Sequence, residues 1–170
     1  MVENRYVLYG LVAGSLAGAV SASITAYLVL TGVFSEVIND VVVASGGSPS
    51  LIPKSIMASI ERLALITLVA VIIQYAILGA LIALIESYLV GKGVRESVAS
   101  LITGLTFVGI NLGVLGVANY VAPAPTEAVL KHIPLLVALA PSITYAVAIS
   151  VLSTVKGPWV KWGRGEPSTY

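Results

Sequence analysis

The chain of 170 residues contains no cysteine. Disulfides, thiolate metal sites, iron–sulfur clusters and cysteine nucleophiles are therefore excluded, and the redox compartment stays open. Charge is almost as scarce. Only 10% of residues are Asp, Glu, Lys or Arg, against roughly 25% in a soluble domain. A water-facing globule cannot be coated with so little polar surface. The net charge is +1, and no basic-aromatic run on a soluble face points to nucleic acid. Gln74 is the single glutamine, methionines number 2, and asparagines are few. That scarcity fits a thermophilic source, although apolar membrane composition gives the same pattern. No Gly-x-Ser-x-Gly elbow, P-loop or Gly-x-Gly-x-x-Gly fingerprint occurs. Gly46-Gly-Ser-Pro-Ser lacks the lysine and following helix of a phosphate loop, and there is no Asn-x-Ser/Thr sequon. The expectation is a non-enzymatic chain without cofactor or metal.

What the chain has in abundance is apolar sequence: 58% hydrophobic residues and a mean hydropathy of +1.01. Four uncharged runs exceed the roughly 18 residues of a membrane span: Tyr6–Phe34, Leu63–Ile85, Ser97–Thr126 and Ile133–Val155. They predict spans at about 6–34, 63–90, 97–121 and 133–155. The fold expected is an all-α, four-transmembrane-helix bundle in a single integral membrane domain. The first run covers 29 residues, about 43 Å as a helix, against a hydrocarbon core of about 30 Å. Its helix is expected to project past the membrane on one side. Ala17-Gly18-Ala19 resembles a signal-peptide cleavage motif. The apolar run continues well beyond it, so the segment reads as a retained helix.

Residues 35–62 form the longest connection. A short interfacial helix is expected around Glu36–Val43, a turn at Ser45–Ser50, and a helical lead-in from Pro53. Placing Glu61 or Arg62 at mid-bilayer would cost on the order of 3 kcal/mol each, so the second span should start near Leu63. Gly91-Lys-Gly93 ends that span. Ala122-Pro-Ala-Pro125 reads as a rigid loop. Pro134 falls near the first turn of the fourth span, where a missing N–H costs little, and Pro141 falls inside it. With four spans, one side holds Arg5, Lys92, Arg95, Lys156, Lys161 and Arg164, and the other Lys54, Arg62 and Lys131. The excess of Lys and Arg places both termini in the cytoplasm and loop 35–62 outside.

Two small-residue stripes mark the helices. Gly10, Gly14, Gly18 and Ala22 recur every fourth residue, a glycine zipper along one helix face. Gly109, Gly113 and Gly116 form a second. In lipid such grooves let another backbone approach closely, and dispersion contacts hold the pair. Both are expected to be packing surfaces, within the bundle or between subunits. Tyr75, Gly79, Ile82 and Glu86 share one face of the second span.

The polar candidates are few. Gln74 and Asn111 lie within spans, where each either lines a path or makes an interhelical hydrogen bond worth about 1 kcal/mol; the hydrogen bond is favoured. Glu86 lies just inside a span end. It binds a cation or carries a proton, or else pairs at the interface with Lys92 or Arg95, the favoured expectation. His132 and Glu127 bracket the third loop and could meet, which is too little for a metal site. Trp159, Lys161, Trp162 and Arg164 read as an interfacial anchor, with docking onto a partner as the sharper alternative.

The order of features resembles the CbtA-type membrane proteins, subunits associated with cobalt transport. The opening Gly-x-x-Ala-Gly-x-x-Ala-Gly of residues 10–18 is similar. So are Tyr75-Ala-Ile-Leu-Gly79-Ala-Leu-Ile-Ala-Leu84, the loop Gly91-Lys-Gly-Val-Arg95 and the prolines Pro123 and Pro125. The likeness covers about half the chain. It departs from that family's usual five spans and histidine-rich segment. It implies a helical membrane subunit of a metal-ion transporter. The leading functional expectation is a non-enzymatic membrane subunit that scaffolds or anchors a larger complex. Its partners would be the lipid bilayer and other membrane subunits or further copies of itself, with no nucleic acid. The alternative is a small transporter or transporter component, with Gln74, Glu86 and Asn111 facing one path.

Overall fold

The computed structural model describes residues 4–48, 52–155 and 159. Among them every regular element is a helix: α1 (Asn4–Leu30), α2 (Val33–Ala44), α3 (Lys54–Ile66), α4 (Leu68–Gly91), α5 (Glu96–Val121), α6 (Pro123–His132) and α7 (Leu135–Thr154). Four of these, α1, α4, α5 and α7, are long and apolar enough to cross a membrane. The three short helices gather where α1 and α5 end and α4 and α7 begin. At the opposite end lie Asn4, Gly91, Glu96 and Thr154, with a tight turn leading from α4 to α5.

Local chemistry corrects several boundaries. The first apolar run is not one continuous helix to Phe34. It stops at Leu30, because Gly32 takes a positive φ of 78° and the chain restarts as α2 at Val33. Only glycine enters that left-handed region cheaply. The second long helix begins at Leu68 rather than Leu63. Leu63–Ile66 belong to α3, and Thr67 ends α3 with its hydroxyl donating to the Ala64 carbonyl at 2.9 Å. The expected rigid loop at Ala122–Pro125 is the start of α6. Pro123 and Pro125 fall in its first turn, where backbone N–H groups have no intrahelical acceptor, so prolines lose nothing. Pro134 caps α7, which continues through the buried Pro141.

The core is narrow and lies between the long helices. α1 runs antiparallel to α4 with almost no side chains between them. A β-carbon added at Gly10 would strike the Gly79 carbonyl and Ala83. One at Gly14 would strike the Tyr75 carbonyl, and one at Gly18 the Ile72 α-carbon at 2.7 Å. α5 crosses α7 at Gly104, where an added β-carbon would lie 2.9 Å from the Ala146 α-carbon. Phe107 of α5 stacks on Tyr145 of α7, with ring centroids 4.2 Å apart and planes 19° apart. The Tyr145 hydroxyl donates to the Gly79 carbonyl at 2.9 Å. One aromatic stack thereby ties the α5–α7 pair to the α1–α4 pair.

Polar side chains inside the helices are mostly satisfied locally. Thr103 donates to the Ala99 carbonyl and Thr144 to the Ala140 carbonyl, the back-bonding open to helical Ser and Thr. The outward faces are apolar: Leu30, Ile66, Val69, Val114, Val117 and Leu136 are all exposed.

Candidate functional site

The face of α4 bearing Gly79, Ile82 and Glu86 turns inward, because those positions recur three and four residues apart and one helix stripe carries them all. Glu86 is thereby fully buried. Its two oxygens and the Ser153 hydroxyl of α7 have no hydrogen-bond partner among the described residues. The expected interfacial pairing of Glu86 with Lys92 or Arg95 is not formed. Lys92 instead holds its ammonium 5.7 Å from the centre of the Tyr88 ring.

Around Glu86 the ends of all four long helices meet. Arg5 of α1 donates to Glu96 Oε1 of α5 at 2.8 Å, and the Tyr6 hydroxyl donates to the same oxygen at 2.9 Å. The Arg5 guanidinium also donates to the Tyr6 hydroxyl at 2.7 Å and lies over its ring, 4.6 Å from the centroid. Tyr6 and Tyr9 meet edge to face. Trp159 donates from its indole nitrogen to the Leu152 carbonyl at 3.0 Å, and the Tyr9 hydroxyl reaches the Trp159 carbonyl at 3.5 Å. Among the described residues, Arg5, Glu96, Ser153 and Tyr145 are polar groups near enough to act on Glu86. The result is a buried carboxyl beneath a charged and aromatic cap.

The three residues expected to share a path scatter. Gln74 is exposed on the outer face of α4. Asn111 donates back to the Phe107 carbonyl of its own helix at 3.0 Å. Glu86 lies inside the bundle. Two grooves, of about 390 and 200 Å³, open between α1 and the α6–α7 region, and none of the three residues lines either one.

The glycine stripes differ as sharply. Gly10, Gly14, Gly18 and Ala22 are all buried, the three glycines against α4. Gly109, Gly113 and Gly116 meet nothing within 4 Å among the described residues. Their expected contact inside the bundle is not made, because α5 packs through its first half, where Ala99, Ser100, Thr103, Gly104 and Phe107 are buried. Of the expected interfacial anchor, Trp159 is described and packs on α7. Lys161, Trp162 and Arg164 lie outside the described residues.

At the other end His132 does not join Glu127. Its Nε2 lies 2.9 Å from Asp40 Oδ2 and its Nδ1 3.9 Å from Glu36 Oε2, both on α2. Lys131 donates to the same Asp40 oxygen at 2.8 Å. The Lys131 and His132 hydrogen bonds hold the Asp40 carboxyl below the usual aspartate range, and Asp40 in turn raises the Lys131 ammonium. No group of three or more His, Asp or Glu side chains is placed to hold a metal ion among the described residues.

Sequence reasoning missed three features: the Arg5–Glu96 pair, the Asp40 clasp and the Phe107–Tyr145 stack. Each joins residues far apart in the chain. The available signal was position: Arg5 and Glu96 each lie at the same end of an apolar run. Comparison with known proteins finds no matching family model, no matching curated protein and no matching solved structure.

Proposed function

We propose that this chain is a multi-pass membrane protein whose role is to hold together a larger membrane assembly, with no reaction of its own. Both termini and the α4–α5 turn face the cytoplasm in this reading, and α2, α3 and α6 lie on the outer side. The apolar outer faces of the long helices support the membrane setting, since soluble monomers rarely expose contiguous apolar surface of more than a few hundred Å². The observation that carries the scaffold role is the bare second half of α5. Gly109, Gly113 and Gly116 stand uncovered among the described residues, although glycine inside a helix costs about 1 kcal/mol relative to alanine. A backbone-close contact from another chain offsets that cost. The scattering of Gln74, Glu86 and Asn111 further favours a scaffold over a conduit.

The test is purification in mild detergent, followed by mass measurement and identification of the chains present. The expected result is a complex with other membrane subunits that Gly113→Leu dissociates while this chain stays folded. A wild-type chain that runs alone, as a monomer or small homo-oligomer, overturns the reading. A transporter component, which the CbtA-type resemblance implies, is the second reading. Its favouring observation is the buried Glu86, which has no hydrogen-bond partner among the described residues. Ion flux into vesicles that Glu86→Gln abolishes without loss of assembly would make it the first.

A further inference from the structure

Glu86 is the one acidic side chain wholly enclosed among the described residues. An isolated ionised carboxylate in such a place costs so much that the group keeps its proton instead. Yet it lies one layer beneath a rim where charge is abundant. We propose that Glu86 is a proton-exchange site, and that Arg5 is the cation that holds its carboxylate form.

The geometry supplies both states. In the arrangement seen, Arg5 donates to Glu96 and Tyr6, and neither oxygen of Glu86 has a hydrogen-bond partner among the described residues. This is the neutral acid. On release, the O–H bond breaks, the electron pair stays on the carboxylate and the proton passes to water at the Arg5 end. The new charge then competes with Glu96 for the guanidinium at the rim above it. Glu96 is the more easily abandoned partner, because its side chain is 41% exposed and water replaces Arg5 there. Among the described residues, the other polar groups at this end are the Tyr6 and Tyr9 phenols from α1, Ser153 and the deeper Tyr145 from α7, and Ser87 beside Glu86 on α4. None of these carries a positive charge, so among the described residues Arg5 is the cation available to Glu86. Proton loss at Glu86 is thereby coupled to the α1–α5 link.

This inference is independent of the scaffold role: it concerns what the subunit binds, not what it assembles with. Infrared spectroscopy of the full chain in lipid vesicles tests it. The expected spectrum contains the carbonyl stretch of a protonated carboxyl. That band shifts in D₂O within minutes and disappears as pH rises. In Arg5→Gln the band persists to higher pH by at least one unit, because the carboxylate loses its counter-charge. A hydrophobic carbodiimide, which reacts with protonated carboxyls in apolar surroundings, assigns the band by peptide mass at Glu86 in the wild-type chain. The assignment therefore survives even if Glu86→Gln fails to assemble. Absence of the band overturns the proposal, as does a band that never exchanges with D₂O. An Arg5→Gln titration identical to wild type overturns the role of Arg5.

Discussion

Helices α1 and α5 are near twins in sequence character, yet one is covered along its glycines and the other is bare. Both are long, apolar and striped with glycine on one face. Two of the three α1 glycines meet α4 where α4 is also small, and Gly18 lies against the Ile72 backbone. Gly79 and Ala83 lie opposite Gly10, and Ala76 lies opposite Gly14. α5 meets α7 through Gly104 against Ala146, and its later glycines find no small-residue face among the described residues. A glycine stripe is thus half of a contact. Small residues on the partner favour close approach, and the second face helps decide which stripe is used.

Exchange of one glycine in each stripe gives the largest contrast. In Gly14→Leu the new side chain meets the Tyr75 carbonyl and the Ala76 α-carbon, which are backbone and cannot turn aside. Overpacking that side chains can absorb costs about 1–3 kcal/mol, and this substitution should exceed that range. The expected outcome is loss of the folded monodisperse species in detergent. Gly113→Leu should leave the thermal unfolding of the isolated chain unchanged or slightly raised, since leucine is the better helix former. If the two variants melt alike, the difference between the stripes has no energetic content.

Tyr145→Phe probes the junction between the two helix pairs with a smaller effect. The ring stack on Phe107 is kept, and only the hydrogen bond to the Gly79 carbonyl is lost. Because that carbonyl retains a place in its own helix, the expected cost is about 1 kcal/mol. Unfolding by a denaturing detergent measures it. A loss as large as that of Gly14→Leu would mean that the α1–α4 contact depends on the tyrosine and not on the glycines.

Much of the bundle is legible in the sequence because apolar length and charge placement define long helices without knowledge of their neighbours. The face carrying Gly79, Ile82 and Glu86 is legible for the same reason: one helix period fixes it. What is not legible is rotation and pairing. Glu86 lies five residues from Gly91, close enough to a helix end to suggest a solvated acid. The rotation that buries it depends on α1 fitting against Gly79. Asp40 and His132 lie 92 residues apart, and nothing local links them. Pro123 and Pro125 suggest a loop by composition, yet their position in a first helical turn makes them compatible with α6.

The smallest effect belongs to the end opposite Glu86, where charge is exposed rather than enclosed. Asp40 joins α2 to α6 through Lys131 and His132. Its carboxyl is held below its ordinary value of 3.8. Its contribution is therefore complete above that value and is lost as pH falls through the lower, folded-state value. Lys131 works in the other sense. Its ammonium is raised above 10.5, so its contribution is complete below that pH and fades as pH rises through the raised value. The clasp should hold between these limits and loosen beyond either. Exposed pairs of this kind contribute little to global stability, so the melting temperature should scarcely move. The readout is local. The absence of native cysteine lets Ala44→Cys and Glu127→Cys carry the only two spin labels, reporting the distance between α2 and α6. The expected distribution is narrow at neutral pH, broad in strong acid, and broad at every pH in Asp40→Asn. A distribution indifferent to both pH and Asp40 would mean that apolar packing alone holds α2 to α6. Only the enclosed end of the bundle would then respond to protons.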